Sequence, residues 1–466
     1  MGRPSMISVQ ALVAEIGSTI TTVSAFQDLD GDDPQFLGQG YAPTSVEGGD
    51  VRIGLQAALD HLASNLGGQP QAQTFLASSS AAGGLRMSVH GLVRDMTVRA
   101  AQEAALGAGA NISMVTAGKM RPGDLQKLHE ISPNILLLAG GVDYGERETI
   151  LHNAQLLANQ GPRCPVVYAG NIQALEEARQ LFEHQGIPFH PVSNVYPAID
   201  QLEVNEARRA IQNVFEQNIT HAPGMEHIRQ MVDGRVVPTP GAVLDAAELL
   251  QSHFGDVVVM DVGGATTDVH AVCEDSEEFG RLLIAPEPFA RRTVEGDLGT
   301  YVSRHSLLKS AGEGWIRRTA KELNLTEREF HQAVESLPPL PSNVQHANLA
   351  GLLAQEAARQ ALSRHAGQVR TLYGPGGKTR VAEGKDLSSV QYLVATGGAL
   401  TRLPEKAKRL HHVLQSQPPQ SLTPALETAL LFDQHYIMAV AGTLSKRWPK
   451  AAVILMKRSF FPEENP

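Results

Sequence analysis

Along most of the chain, apolar runs alternate with amphipathic stretches rich in Ala and Leu, which predicts an α/β protein. The runs "ALVAEI" (Ala11–Ile16), "TFLAS" (Thr74–Ser78), "NILLLAGG" (Asn134–Gly141), "VVYAGN" (Val166–Asn171), "VVVMDV" (Val257–Val262) and "YLVATGG" (Tyr392–Gly398) read as strands. The stretch "VRIGLQAALDHLASNL" (Val51–Leu66) places Ile53, Ala57, Leu59 and Leu62 at roughly helical spacing and reads as a helix. The stretches "RETILHNAQLLANQG", "ALEEARQLFEHQG", "LAGLLAQEAARQALSRHAG" and "LETALLFDQHYIMAVAGTLSKRW" read the same way. From Asn134 to Pro197, strand and helix alternate at short intervals, a compact parallel unit whose helices stop at Gly161 and Gly186 as C′ glycines. "PTPGAVLDAAELL" (Pro238–Leu250) is a Pro-rich break followed by a helix, and marks a lobe boundary. "SLPPLPSNVQH" (Ser336–His346) is expected as a surface loop, "YGPGGKTRVAEGKDL" (Tyr373–Leu387) as a mobile loop or small hairpin, and "KRSFFPEENP" as a frayed tail.

With 466 residues the chain exceeds one ordinary core, so two or more lobes are expected. It has no uncharged apolar run of about 18 residues, which argues against a membrane span. The N-terminus lacks the regions of a signal peptide, and Met6 stands where a myristoylation signal carries a hydroxyl residue. Two cysteines, Cys164 and Cys273, without CxxC spacing argue against a disulfide framework, a zinc site or a cysteine-held cluster. A reducing cytoplasm is the expected setting. The net charge of −10, with acids and bases interspersed, argues against a nucleic-acid surface.

Candidate chemistry sits in "VVVMDVGGATTDVHAV" (Val257–Val272). Its apolar strand ends in an acid, Asp261, turns on Gly263 and Gly264, and leaves through Ala265, Thr266, Thr267 and a second acid, Asp268. Near the N-terminus "LVAEIGSTITTVSAF" (Leu12–Phe26) repeats the order with Glu15, Gly17, Ser18 and Thr19. Glycines allow close approach of a ligand, and successive N–H groups in such turns form an anion-binding concavity. An acid at the strand end repels a bare phosphate, so it implies Mg²⁺ between carboxylate and phosphate, with Asp261 and Glu15 serving the metal through water. Asp268 can then orient an attacking water. A single copy reads as an ordinary hairpin, whereas two copies in different halves point to phosphate held between two lobes. "YLVATGGAL" ends in Gly397, Gly398 and Ala399, where backbone can lie flat against a nucleoside. Small residues in two helices (Gly241 and Ala242; Ala439, Ala441 and Gly442) permit a close crossing at a hinge.

These motifs together resemble the ASKHA superfamily of acetate and sugar kinases, heat-shock chaperones and actin. More specifically, "SSSAAGGLRM", "LLLAGGVDYGERETILHNA", "PTPGAVLDAAELL", "MDVGGATTDVH", "TVEGDLGTY" and "EGKDL…ATGGAL", in order along the chain, resemble the MutL/GlmL family of glutamate mutase accessory proteins. The resemblance implies a two-lobed actin-like ATPase, a duplicated ribonuclease H-like fold with ATP·Mg²⁺ in the cleft between lobes. Lobe I is expected over 1–238 with an inserted α/β unit at about 134–197, lobe II over 239–432, and a C-terminal helix over 433–458 returning to lobe I. It further implies a cytoplasmic, slow ATPase that reactivates an adenosylcobalamin-dependent mutase or aminomutase by releasing damaged cobalamin, with or without a small second subunit. Where most of the superfamily carries Asp at the first acid, this chain has Glu15.

Other motifs are incomplete. "PGGKT" lacks the first Walker glycine, since Leu372 stands there, and "GQGYAP" ends GxGxxG in Pro43. "HEISP" breaks HExxH at Pro133, and His411-His412 reads as a solvated pair. In "AGGVDYGERE" (Ala139–Glu148), Asp143, Glu146 and Glu148 repel an anion, which favours a loop for partner contact or lobe packing. Asp297 in "VEGDLG" is expected as a helix N-cap. Three other readings stay open on the same fold: a small-molecule kinase for a sugar or carboxylate, an activator of a radical dehydratase, and a filament-forming actin relative.

Overall fold

A computed structural model describes residues 6–45, 50–80, 85–107, 110–219, 225–284, 287–374 and 377–461. The chain forms two compact units, Met1–Ala81 with Pro223–Pro466, and Ala82–Ala222.

The first unit contains two five-stranded sheets. One comprises β1 (Met6–Ile16), β2 (Ile20–Gln27), β3 (Gln35–Pro43), β4 (Gln69–Ser79) and β10 (Val237–Pro238), in the order β10-β4-β1-β2-β3. The strands β1, β2 and β3 meander antiparallel, and β4 and β10 run parallel to β1. The other comprises β11 (Val257–Val262), β12 (Thr267–Val272), β13 (Ala290–Glu295), β16 (Tyr392–Thr396) and β17 (Ala429–Phe432), in the order β13-β12-β11-β16-β17. Again the first three are antiparallel and the last two parallel. Identical order and sense in both halves is the duplicated ribonuclease H-like arrangement, the actin-like ATPase fold.

Each central strand is apolar on both faces because both are covered. Along β11, Val258, Met260 and Val262 join a core with the helices Arg304–Glu322, Glu327–Glu335 and Val344–His365 on one face. Val257 and Val259 face the opposite way, into a second core that also takes Ala11 and Val13 of β1. With the period of two along a strand, Asp261 continues the row Val257–Val259, and Glu15 continues the row Ala11–Val13. Both acids therefore end rows that point into the same shared interior.

Two helices fill that interior, Thr239–Phe254 and Met438–Ser445. They cross at Gly442, where a Cβ would overlap the carbonyl of Ala242. The helix Val51–Leu66 packs equally closely on β3, because Gly40 has no Cβ to meet the backbone of Ala58 and Leu62. That contact accounts for a glycine in the incomplete "GQGYAP" motif.

The second unit is a parallel sheet of β5 (Leu85–Gly91), β6 (Ala110–Ala117), β7 (Ile135–Leu138), β8 (Val166–Tyr168) and β9 (Phe189–Pro191), ordered β6-β5-β7-β8-β9. It is a doubly wound unit, larger than the 134–197 stretch, since β5 and β6 precede that stretch. Gly186 ends its helix with φ of 66°, as C′ glycines do, whereas Gly161 ends its own in an extended conformation.

Two further expectations change, and of two alternatives for a third stretch the hairpin is found. "LETALLFDQHY" is not helical: Ala429–Phe432 pairs with β16 at the sheet edge, and the helix starts only at Met438. Asp433 causes the switch by accepting the N–H groups of Ile437 (2.7 Å) and Met438 (2.9 Å). The last helix runs on to Phe460, with Phe460 buried, so only residues 462–466 of the expected tail lie outside the described residues. The Tyr373–Leu387 stretch contributes to a hairpin of β14 (Gln368–Gly374) and β15 (Gly377–Glu383), whose tip is not among the described residues.

Placing a methyl group at the helix crossing is expected to be costly. Gly442→Ala should lower unfolding free energy by about 1–3 kcal/mol, as overpacking does elsewhere, measured by denaturant titration of the purified protein.

Candidate functional site

The two hairpins are built alike. In the first, the Gly17 N–H donates to the Ile20 carbonyl at 3.0 Å, and in the second the Gly263 N–H donates to the Thr266 carbonyl at 2.9 Å. Glu15 pairs across the ladder with Thr22, and Asp261 with Asp268. The duplication thus puts Thr22 in the place that Asp268 holds in the other half.

Each turn has its carbonyls tied back. Thr44 donates its N–H to Thr19 O at 2.8 Å and its hydroxyl to Gly17 O at 2.9 Å. On the second hairpin, the N–H of Thr300 meets Gly263 O at 3.1 Å, and those of Tyr301 and Val302 meet Gly264 O at 2.9 and 2.7 Å. The Ser303 hydroxyl donates to Ala265 O at 2.7 Å. In a trans peptide the N–H points opposite to the C=O. Fixing these carbonyls therefore turns the N–H groups of Gly264, Ala265 and Thr266 away from the 300–303 loop, as a cradle for an anion requires.

The turns also meet. A Cβ on Gly264 would lie 3.0 Å from Thr19 Cβ, and the Thr19 hydroxyl is buried with no protein partner. The strand β16 completes the group: Gly397, with φ of 84°, has its missing Cβ 2.7 Å from Asp261 Oδ1, while beside Gly398 the space is open. Of the residues read from the sequence, Glu15, Gly17, Ser18, Thr19, Asp261, Gly263, Gly264, Ala265, Thr266, Asp268, Gly397 and Gly398 gather at these strand ends. Three are otherwise engaged: the Ser18 hydroxyl donates to Ser80 O at 3.1 Å, the Thr267 hydroxyl donates to Leu298 O at 2.7 Å, and the Ala399 side chain packs on the core of the far face. Asp297 is no helix cap; Arg364 grips it with two hydrogen bonds, 2.7 and 3.0 Å, and so anchors the loop that holds the second turn.

Electrostatically the site carries excess negative charge. Burial raises Glu15 to about 7, with the Tyr436 hydroxyl at 3.2 Å opposing and Asp433 adding to the rise. Asp261 lies well above the carboxylate range through burial first, then repulsion from Asp268, Glu15 and Asp433. Burial lifts Asp268 to about 6 against the pull of Arg292, 3.8 Å away and itself buried. Mutual repulsion of this kind is relieved by a cation.

Beside Glu15 in the sheet, the buried hydroxyls of Thr22 and Ser78 lack hydrogen-bond partners, and Asp268 Oδ1 accepts no hydrogen bond although it is ion-paired with Arg292 at 3.8 Å. Such orphaned oxygens fit a hydrated ion and phosphate. Among the described residues no three carboxylates, imidazoles or thiols converge tightly enough to ligate one ion directly.

Several members had no signal in the hairpin motif. Thr22, Ser78 and Arg292 enter through ladder register, which a motif does not record. Tyr436 and Arg402 form a stack with Tyr41, the guanidinium 5.2 Å from the Tyr41 ring and 5.6 Å from that of Tyr436. Asp433 had a visible signal, since "LLFD" is a third apolar run ending in an acid.

The match to known proteins follows the same lines. The family model described as MutL protein matches residues 11–460. The chain belongs to that family. Protein MutL of Clostridium tetanomorphum is 33% identical over 457 residues, covering 96% of this chain and 98% of its relative. Among solved structures, a diol dehydratase-reactivating factor in nucleotide-free form is similar over 94% of this chain and 99% of that one, at 12% identity and a TM-score of 0.37. Nucleotide-free acetone carboxylase is similar over 94% of this chain and 70% of that one, at 14% identity and a TM-score of 0.42. At those scores the strand order, rather than superposition, identifies the fold.

Two expectations follow from the geometry. A carboxyl whose value is raised on folding favours the native state while protonated, so its contribution is lost as pH rises. In EDTA and without nucleotide, the Glu15 contribution should fall between about 4.5 and about 7, and thermal melts of Glu15→Gln should show a flatter dependence over that interval. Arg364→Gln should release the 297–303 loop, read as several-fold faster hydrogen exchange at the amides of Thr300, Tyr301 and Val302.

Proposed function

We propose that the paired hairpins bind ATP·Mg²⁺ and that the chain is a cytoplasmic ATP-dependent accessory factor that reactivates an adenosylcobalamin-dependent mutase. The observation that carries the nucleotide reading is the meeting of two like-built turns, Gly264 against Thr19, at the mouth of a buried carboxylate group. The accessory role rests on membership of the MutL family; the mutase and the cobalamin belong to this proposal.

Asp261 and Glu15 are the residues that would hold Mg²⁺, through water as this ion prefers, with the Thr22 and Ser78 hydroxyls accepting from its water shell. The bound ion supplies neutralisation of phosphate charge. The N–H groups of Gly264, Ala265 and Thr266 and the hydroxyl of Thr19 donate to phosphate oxygens. Gly397 and Gly398 leave flat backbone beside the nucleoside. Asp268, with an oxygen that accepts no protein hydrogen bond and a value near 6, orients a water and accepts its proton. Arg292 stabilises the Asp268 carboxylate and keeps it in place.

A change in contacts at the two turns acts on both sheets at once, because both turns end strands of the same interior. Lobe closure on ATP and release after hydrolysis would alter affinity for the mutase.

The test mixes purified protein with a cognate mutase carrying inactive cobalamin. ATP·Mg²⁺ is expected to accelerate cobalamin release, and Asp261→Ala to abolish the acceleration. The reading is sunk if ATP promotes no release and Asp261→Ala matches wild type. Transfer of phosphate to an added sugar or carboxylate in proportion to ATP lost would favour a kinase instead.

A further inference from the structure

The nucleotide reading makes no use of the loops at the carboxyl edge of the second unit, where doubly wound sheets commonly place their binding sites. Three loops there are tied into one frame. The Asp143 N–H donates to Pro197 O at 2.9 Å, and the Ile172 N–H donates to Asp143 Oδ1 at 2.9 Å. Asn171 donates to Gly145 O at 3.1 Å, and Asn194 to Gly141 O at 2.9 Å.

This frame displays large apolar side chains to solvent. Tyr144 is 76% exposed, Ile199 72% and Ile172 53%, one on each of the three loops. Tyr144 adopts a φ of 64°, a left-handed conformation that disfavours a bulky side chain and that glycine adopts freely. An exposed aromatic ring held there contributes nothing to the core, so its retention calls for another purpose.

Beside the ridge lies a groove of about 560 Å³. Ile172, Leu175 and Val192 supply apolar wall, Asp143, Glu203 and Glu206 supply charge, and among the described residues no Lys, Arg or His lines it. The Ser193 side chain and then its N–H, 2.9 Å from Glu206, hold that carboxyl below its ordinary range, with Arg209 adding a smaller pull. An apolar wall closed by carboxylates complements a long cationic side chain, whose aliphatic stem packs while its charge is met at the end. The same acids oppose nucleic acid and anionic lipid.

We propose that this edge of the second unit is a docking surface for a protein partner that presents a Lys- or Arg-bearing loop beside an apolar patch. The cationic side chain enters the groove, and Tyr144, Ile172 and Ile199 cover the patch around it. The proposal rests on the accessory role above only for the partner's identity, which would be the mutase.

Photo-crosslinking in the producing cells tests it, with p-benzoylphenylalanine in place of Ile199 in the full chain and, as control, in place of His412. The expected result is a protein adduct specific to position 199 whose crosslinked peptide carries Lys or Arg. Its yield should fall about tenfold in Tyr144→Gly and in Glu203→Lys, as for loss of an anchor residue. Tyr144→Gly should melt no lower than the parent, because glycine suits that backbone, which separates lost docking from lost folding. The proposal is overturned if position 199 gives no more adduct than position 412, if the adduct is only a second copy of this chain, or if both variants leave the yield unchanged. Capture of another protein in place of the mutase overturns the mutase as occupant and with it the proposal.

Discussion

Like charges gathered in a low-dielectric interior impose the constraint on which this molecule turns. Asp268, Glu15 and Asp433 all bear on Asp261, and Asp433 also bears on Glu15, with Arg292 the buried cation beside Asp268. Burying carboxylates together opposes folding unless protons or cations neutralise them. The fold tolerates the arrangement because each acid sits within a residue or two of a strand end, where the ladder fixes side-chain direction through the pleat. Asp433 is neutralised in another way: two helix N–H groups, the Thr396 hydroxyl at 2.9 Å and the Ser459 hydroxyl at 2.6 Å surround it. It secures the C-terminal helices to the second sheet, while Glu15, Asp261 and Asp268 keep unmet electrostatic demand. That division separates a structural acid from acids that fit a ligand, although all are introduced by the same pattern of apolar run and acid.

The rest of the first unit keeps those three in place. The 300–303 loop fixes the second turn from behind, and Arg364 fixes the loop through Asp297. Thr44 does the same for the first turn. In both halves the chain satisfies turn carbonyls at the back and leaves N–H groups at the front. Preorganisation of this sort removes the need to order the turns when an anion arrives.

Much of this was legible in the sequence. The strands β1, β11 and β16 announce themselves by continuous apolar runs, and the turns by glycines followed by hydroxyl residues. Small residues at Ala242 and Gly442 correctly marked a close crossing, since side-chain size governs how near two backbones come. What stayed hidden depends on pairing. Thr22 and Ser78 flank Glu15 only once β1 has neighbours, and Asp297 cannot be told from a helix cap until Arg364 arrives from 67 residues away. "LETALLF" carries helix-forming residues, yet the open edge of β16 draws it into the sheet. In the second unit, β5 and β6 were missed because "LRMSVHG" and "ANISMVTA" mix polar residues into the strand and lack a solid apolar run.

The substitution between equivalent ladder positions, Thr22 in one half and Asp268 in the other, has a further consequence. Two halves of one plan, facing each other with identical chemistry, would offer a chain of phosphates two orientations of nearly equal energy. Half of all encounters would then present the wrong end to the reacting water. Exchanging a carboxylate for a hydroxyl at a single position removes the degeneracy. If the turns hold a nucleotide as proposed, a cleft that descends from symmetry would be left with one direction in which its ligand lies.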